Sequence, residues 1–545
     1  MKRREFLRYS VLGSTVALAG PLALSRQSHS ARPEHPFSRR TAFLEEATIA
    51  DLRAAMASGA LTSRSITEAY LERIERADKR GPAVNSIIEI NPDALAIAKR
   101  MDEERRGGHV RSPLHGIPML IKDNIDTADR MQTTAGSLAL AGTQPKRDAF
   151  LVDRLRHAGA VLVGKTNLSE WANFRSMRSS SGWSGRGGQT HNPYVLDRNP
   201  CGSSSGSGVA VAANLCAAAI GTETDGSIVC PSSANSVVGI KPTVGLISRS
   251  GIVPISHSQD TAGPMARTVA DAAAVLGMIA GSDPADAATG AGREWGSVDY
   301  TRFLDPRGME GVRIGVARNL FPSHELVVAL AEEALGVMKS HGATIVDPAD
   351  IPKPGELDKP EFDILLYEFK ADLNAYLAAR GVSSPAGSLE DLIKYNEANR
   401  ATEMPYFGQE IFVMAQEKGP LTAPEYLEAL STAKLLSRDE GIDAVLREHK
   451  LDAILAPTGG PSWPTDLVNG DHYTGGSSSP AAVAGYPNIT VPLGYVFGLP
   501  IGMSFFAGAY SEPALIRIAY AFEQATHARH APLFLPTVDL VNAGA

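Results

Sequence analysis

Residues 199–250 read NPCGSSSGSGVAVAANLCAAAIGTETDGSIVCPSSANSVVGIKPTVGLISRS, and the rest of the chain is organised around them. Ser203, Ser204, Ser205 and Ser207 lie among Gly202, Gly206 and Gly208, a small-residue segment of helical length follows, and Ser227 returns behind Gly221, Thr222 and Gly226. Two serine clusters therefore bracket one helix and one short strand. Glycine beside serine lets the backbone take tight turns that expose a hydroxyl or aim successive amide N–H groups at an anion. A solvated Gly/Ser linker shares that composition, but a linker would not run on into VAVAANLCAAAI and SVVGI, which read as buried.

Upstream, a helical pattern over residues 148–158 passes through Gly159 into the strand-like Ala160, Val161, Leu162 and Val163. Earlier still, Gly116 to Ile121 reads as a short buried strand that closes on Lys122, followed by Asp123 and Asn124. Burying an ammonium costs several kcal/mol unless it is paired or neutral, so this lysine is either a site residue or an ordinary surface lysine at a strand end. Apolar positions at helical spacing (Ile66, Ala69, Tyr70, Ile74, Ala77) and a further pattern over 92–106 give the opening helices. Downstream, an apolar helix over 268–280 precedes a strand-helix-strand rhythm at 311–317, 325–341 and 343–346. Residues 355–450 turn mainly helical and more charged; strands resume at 451–455, 488–491 and 502–506, and a helix over 512–527 closes the pattern. The expected fold is α/β, a large mixed β-sheet covered by helices on both faces. One domain is expected over 41–545, carrying a mainly helical insertion near 355–450.

Hydrophobic residues make up 43% of the 545 positions and charged residues 21%, an ordinary globular balance with material for a sizeable core. The formal charge is −8, and because Lys2, Arg3, Arg4 and Arg8 outweigh Glu5 in the first 25 residues, the remaining body is more acidic still. Nucleic acid is excluded as an expected partner. Residues 1–25 join that basic start to an apolar run too short to span a bilayer comfortably, and Arg3-Arg4 followed by Phe6-Leu7 resembles a twin-arginine export signal. The twin-arginine machinery is then a partner during secretion, residues 26–40 are a tether, and the expected location is periplasmic or secreted. Cys201, Cys216 and Cys230 fit no zinc spacing; they read as small buried hydrophobes, with room for one bridge in an oxidising compartment. No metal or cofactor is expected.

Two motifs mislead. Gly159, Gly164, Lys165 and Thr166 satisfy the expression for a nucleotide-binding loop, yet the residues between the glycines are themselves the strand that should precede such a loop. Gly202-Ser203-Ser204-Ser205-Gly206 satisfies the nucleophile-elbow expression with Ser204 at its centre, but the approach contains Pro193 and Pro200 and is no strand. Later histidines such as His257 and His527 stand in no distinctive setting.

Taken together, Gly116-Ile117-Pro118 through Lys122-Asp123-Asn124, Lys165 to Glu170, Asn192-Pro193, residues 200–264, residues 479–487 and Pro500-Ile501-Gly502 resemble the amidase signature family. The resemblance implies a Ser-cisSer-Lys triad with Ser227 as nucleophile, Ser203 as bridging serine and Lys122 as base. A serine hydroxyl needs a neighbouring base to become an effective nucleophile. A lysine serves at neutral pH only if its pKa falls by about 3 from its ordinary value, which costs roughly 4 kcal/mol and is attainable by burial. The resemblance also assigns the oxyanion to backbone N–H groups along Thr224, Asp225, Gly226 and Ser227. Asp225 departs from the usual glycine there: its tolerance of left-handed angles lets the loop survive, its backbone is expected to serve the oxyanion, and its side chain to brace the loop. Val229 replaces a frequent arginine, while Ser204 and Ser207 read as bracing hydroxyls. Asn173, Phe174 and Met177 are pocket candidates, with core packing as the other reading. Within the family the 221–231 run and the leader look most like bacterial peptide amidases, implying release of ammonia from C-terminally amidated peptides. Amidases for aliphatic, aryl or fatty acyl amides and the glutaminase subunit of a tRNA-dependent amidotransferase are the alternatives, as is a non-catalytic binding protein on the same scaffold.

Overall fold

Short runs of small and apolar side chains, buried at every position, build the centre of the molecule. The computed structural model describes residues 37–380 and 386–540; the expected export leader and most of the tether lie outside them. Eleven strands form one sheet: β1 (Ile87–Ile90), β2 (Pro118–Lys122), β3 (Val161–Thr166), β4 (Ala218–Glu223), β5 (Val238–Lys241), β6 (Thr261–Ala266), β7 (Arg313–Val316), β8 (Thr344–Val346), β9 (Ala453–Pro457), β10 (Asn488–Val496) and β11 (Leu499–Phe506). Their order across the sheet is β1-β3-β2-β4-β6-β5-β10-β11-β9-β7-β8. Parallel pairing joins β3 to β2 and β2 to β4 on one side, and β9 to β7 and β7 to β8 on the other; antiparallel pairs connect the two patches. The sheet is mixed, as expected.

Alternation along the strands divides the core between the two faces. Met119, Ile121, Leu162 and Ile220 pack with the helices Phe150–His157, Val269–Ile279, Glu325–Ser340 and Glu512–Thr526. Leu120, Val161, Val163 and Ala219 face the other way, onto the helices Ser205–Ala212 and Ala94–Arg106. Both faces are therefore covered by helices.

β1 and β6 are among the strands that escape the sequence reading. β1 is a four-residue edge strand, and β6, TAGPMA, carries a glycine and a proline that argue against a central strand. Yet β6 lies between β4 and β5, with Pro264 opposite Ile220. A Cβ on Gly263 would fall 1.9 Å from the Ile240 carbonyl oxygen, so only glycine permits that approach.

The charged segment after residue 355 forms the helices Asp358–Arg380, Leu389–Ala398, Glu410–Gln416, Pro424–Lys434 and Asp443–His449, and the sheet resumes at β9. Leu365, Phe369, Leu373, Leu389 and Phe412 of this layer pack on Trp171, Phe174, Val253 and Ile255. The layer thus lies against the loops at the carboxyl ends of β2 and β4, where open α/β sheets bind ligands. Among the described residues no helix is long and apolar enough to cross a membrane.

Candidate active site

β2 and β4 run parallel and adjacent, so Lys122 at the end of one and the turn after Glu223 at the end of the other converge. Lys122 is fully buried, and its Nζ donates to Ser203 Oγ at 2.8 Å, Thr222 Oγ1 at 2.8 Å and the Thr222 carbonyl at 3.2 Å. Asn124 Nδ2 also donates to Thr222 Oγ1, at 3.0 Å. Burial pushes the Lys122 pKa down to about 7, against the smaller opposing pull of Asp260 and Glu223.

Two other lysines, Lys165 and Lys241, are equally buried. Lys165 Nζ donates to the Ile125 carbonyl and Thr133 Oγ1, and Lys241 Nζ to the carbonyls of Ala481 and Tyr486. Of the three, only Lys122 meets a serine. Lys165 lies inside β3, so the nucleotide-loop expression describes a strand and no phosphate cradle.

Ser203 is fully buried behind a cis Gly202–Ser203 peptide bond. The close packing there requires glycine: a Cβ on Gly202 would lie 2.2 Å from Ser169 Oγ. Ser204, the centre of the misleading elbow expression, is committed to the backbone. Its Oγ donates to the Thr222 carbonyl at 3.0 Å and accepts from the Thr222 N–H at 3.1 Å, tying the serine cluster to β4. Ser207 Oγ bonds Thr166 Oγ1 at 2.7 Å and the Ile220 carbonyl at 3.0 Å, and Ser205 Oγ bonds the Cys201 carbonyl at 2.6 Å. These hydroxyls brace the turn.

The turn from β4 into the helix Val229–Ala234 carries Ser227. Its main-chain carbonyl accepts from the Ser204 N–H at 3.1 Å, and among the described residues its hydroxyl has no hydrogen-bond partner. The turn is held by Glu223, a residue the sequence reading missed. Glu223 Oε2 accepts from the N–H groups of Ile228 at 2.7 Å and Val229 at 3.0 Å, in the manner of a cap. Val229 is buried at this junction. The N–H groups of Asp225, Gly226 and Ser227 meet no protein acceptor among the described residues.

Gly226, with φ of +73°, takes the left-handed step of this turn, so the tolerance of aspartate for such angles is not called on at Asp225. The Asp225 side chain does brace the loop, accepting from Ser479 Oγ at 2.6 Å, while its buried Oδ1 is left without a partner. Burial pushes the Asp225 carboxyl up.

A cleft of about 760 Å³ opens on Ser227, Gly226 and Asp225. Asn173, Phe174 and Met177 all line it, as do Trp463 and Tyr473 from a distant loop and Phe362 and Ile411 from the helical layer. Thr224 does not: it faces a separate recess of about 410 Å³ with Asn124, Thr222 and Asp260, and its Oγ1 donates to Asp260 at 2.5 Å. No periodicity ties Trp463 or Tyr473 to residues so far upstream, and Glu223 looks in sequence like any acid in a polar turn.

Cys201 and Cys230 form a disulfide with Cα atoms 6.0 Å apart, so the two cysteines nearest the serines are bridged; Cys216 is free and buried. His257 also stands in a more distinctive setting than its sequence suggested, with Nδ1 2.8 Å from Asp372 and Nε2 3.3 Å from Glu368. Ligand atoms of these three residues lie within 4.8 Å of one another, but Glu368 already accepts from Ser256, Ser258 and Tyr426.

Comparison with known proteins gives consistent relatives. A family model described as Amidase matches residues 65–516. The X-ray structure of native peptide amidase from Stenotrophomonas maltophilia is 54% identical with a TM-score of 0.87, covering 90% of this chain and 99% of that one. A probable amidase of Arabidopsis thaliana is 46% identical over 501 residues, 90% of this chain and 92% of its own length. The A subunit of glutamyl-tRNA(Gln) amidotransferase from Thermoanaerobacter pseudethanolicus is 34% identical over 496 residues, 88% of this chain and 96% of its own.

Proposed function

The chain belongs to the amidase signature family and is an amide hydrolase, and from that premise we propose that it releases ammonia from C-terminally amidated peptides through Ser227, Ser203 and Lys122. The observation that carries the proposal is the contact of a buried, pKa-depressed Lys122 with Ser203 Oγ. In this reading neutral Lys122 takes a proton from Ser203 as Ser203 takes one from Ser227, whose oxygen attacks the amide carbon. The unpartnered N–H groups of Asp225, Gly226 and Ser227 are the available donors to the oxyanion. The proton returns through Ser203 to the departing nitrogen, ammonia leaves, and water hydrolyses the acyl-enzyme by the same relay.

Peptide amides are favoured over simple amides by the likeness to peptide amidase and by the cleft itself. Its aromatic lining suits side chains. Ammonia release from amidated dipeptides, aliphatic amides, anilides and free glutamine, measured for the wild type and Ser227→Ala, tests this. Turnover of the peptide amides, lost by about a thousandfold or more in the variant, is expected. Turnover of glutamine alone would revive the amidotransferase reading, for which the 34% relative speaks.

Export is proposed on two supports, the Arg3-Arg4-Phe6-Leu7 leader and the Cys201–Cys230 bridge, since disulfides persist mainly in oxidising compartments. Fractionation of cells expressing the protein with Arg3 and Arg4 intact or both replaced by lysine tests it, retention of the lysine variant in the cytoplasm being expected.

A further inference from the structure

Among the described residues Ser227 Oγ meets no hydrogen-bond partner, so its place is set by the main chain of its turn. The ties that hold that turn include the Glu223 carboxylate on the N–H groups of Ile228 and Val229, the Ser204 N–H on the Ser227 carbonyl, the Ser479 hydroxyl on the Asp225 carboxylate, and the bridge from Cys230 to Cys201. The bridge is the covalent one. Cys201 stands two residues before Ser203 and takes φ of +58°, in the left-handed region that a non-glycine residue adopts only when held there. Cys230 stands three residues after Ser227, on the first turn of the helix Val229–Ala234. Both cysteines line the 760 Å³ cleft; Cys201 is buried and Cys230 half-buried, so a small molecule in the cleft approaches the bridge from the Cys230 side.

We propose that the Cys201–Cys230 disulfide is a positioning strut that sets Ser227 against Ser203, and that a small dithiol entering the substrate cleft turns the enzyme down by opening it. The proposal rests on the reading of Ser203 and Ser227 as the reacting pair. Chemically, one thiolate of the dithiol attacks a bridge sulfur and the second closes the reagent's own disulfide. Two electrons and two protons pass to Cys201 and Cys230, which become thiols. With the strut gone, the hydrogen bonds remain but the two serine turns are free to separate, and small misplacements of reacting groups are costly in rate.

The test treats the purified native protein with dithiothreitol, counts alkylated thiols by mass, and measures kcat, KM and near-ultraviolet circular dichroism. Buried Cys216 is the internal control, reacting only on unfolding. Two thiols are expected to appear, with kcat down about tenfold or more, KM within about twofold, the fold retained, and activity restored on reoxidation. The double variant C201A/C230A should match the reduced enzyme and ignore the dithiol. Saturating peptide amide should slow reduction in Ser227→Ala, which binds without turning over. An unchanged kcat after both thiols appear, loss of activity only together with unfolding, or reduction unaffected by bound peptide amide would overturn the strut or its access route. Turnover by Ser227→Ala would instead refute the site reading, whatever the dithiol does.

Discussion

Lys122 is distinguished from Lys165 and Lys241 by what its nitrogen meets, because burial alone is common to all three. A main-chain carbonyl and a threonine hold Lys165 in a structural role, and two carbonyls hold Lys241; Lys122 instead meets Ser203 Oγ, the proton path of the proposed mechanism. Since Lys122 must be neutral to accept that proton, the pH profile is fixed in sign. With its pKa pushed down to about 7, kcat/KM should rise with pH up to about 7 and then level off, and at pH 5 should be about a hundredfold below the plateau. A limb near the ordinary lysine range, or a flat profile from pH 5 to 9, would remove Lys122 from the role of base. At this scale the sequence was informative where chemistry is local: serines between glycines stand out, while a lysine closing an apolar strand stays open between site and surface until its burial is seen. Glu223 did not, since its meaning depends on a turn that folds back onto its own carboxylate.

The element that presents Ser227 is a strand, a turn and a six-residue helix, too short to be stable on its own propensity. Its start is fixed by the Glu223 carboxylate, which takes two N–H groups from the turn and is buried enough that its pKa is pushed up. Glu223→Ala leaves both donors buried without an acceptor, so it should cost about 2–4 kcal/mol of unfolding free energy. Because the donors follow Ser227 directly in the chain, kcat should fall by about tenfold or more with a smaller change in KM. Urea denaturation and steady-state kinetics on one preparation check both, and wild-type kcat in a folded Glu223→Ala protein would dismiss the capping account. The same element illustrates where strands were legible. β4 follows a helix of small residues and reads correctly, whereas its neighbour β6 hides behind Gly263 and Pro264. Gly263 answers a close approach by Ile240 that no local pattern encodes.

At the scale of the whole molecule, the helical layer was visible as a change in composition after residue 355, but which loops it covers was not. One answer is a buried cluster around Arg175. Its guanidinium bonds Glu170 Oε1 at 2.5 Å and the Glu403 carbonyl, while Glu403 Oε1 accepts from the Leu138 N–H at 2.7 Å. Glu170 comes from the segment after β3 and Glu403 from the helical layer, so the cluster joins the layer to the loops beside the cleft. One arginine serves two buried carboxyls, and burial pushes both pKa values up, that of Glu170 to about 8. The folded protein then keeps a proton that the unfolded chain releases above about 4.5. Stability from this group is therefore full below that value, declines as pH rises toward 8, and changes little beyond it. The limiting slope for one proton is about 1.4 kcal/mol per pH unit. Glu170→Gln keeps the shape and the donor of the protonated acid, so its thermal midpoint should fall less between pH 5 and 8 and exceed that of the wild type at pH 9. Parallel curves for the two proteins would show that Glu170 is ionised in the fold, and the cluster would then be held by Arg175 charge pairing with no retained proton.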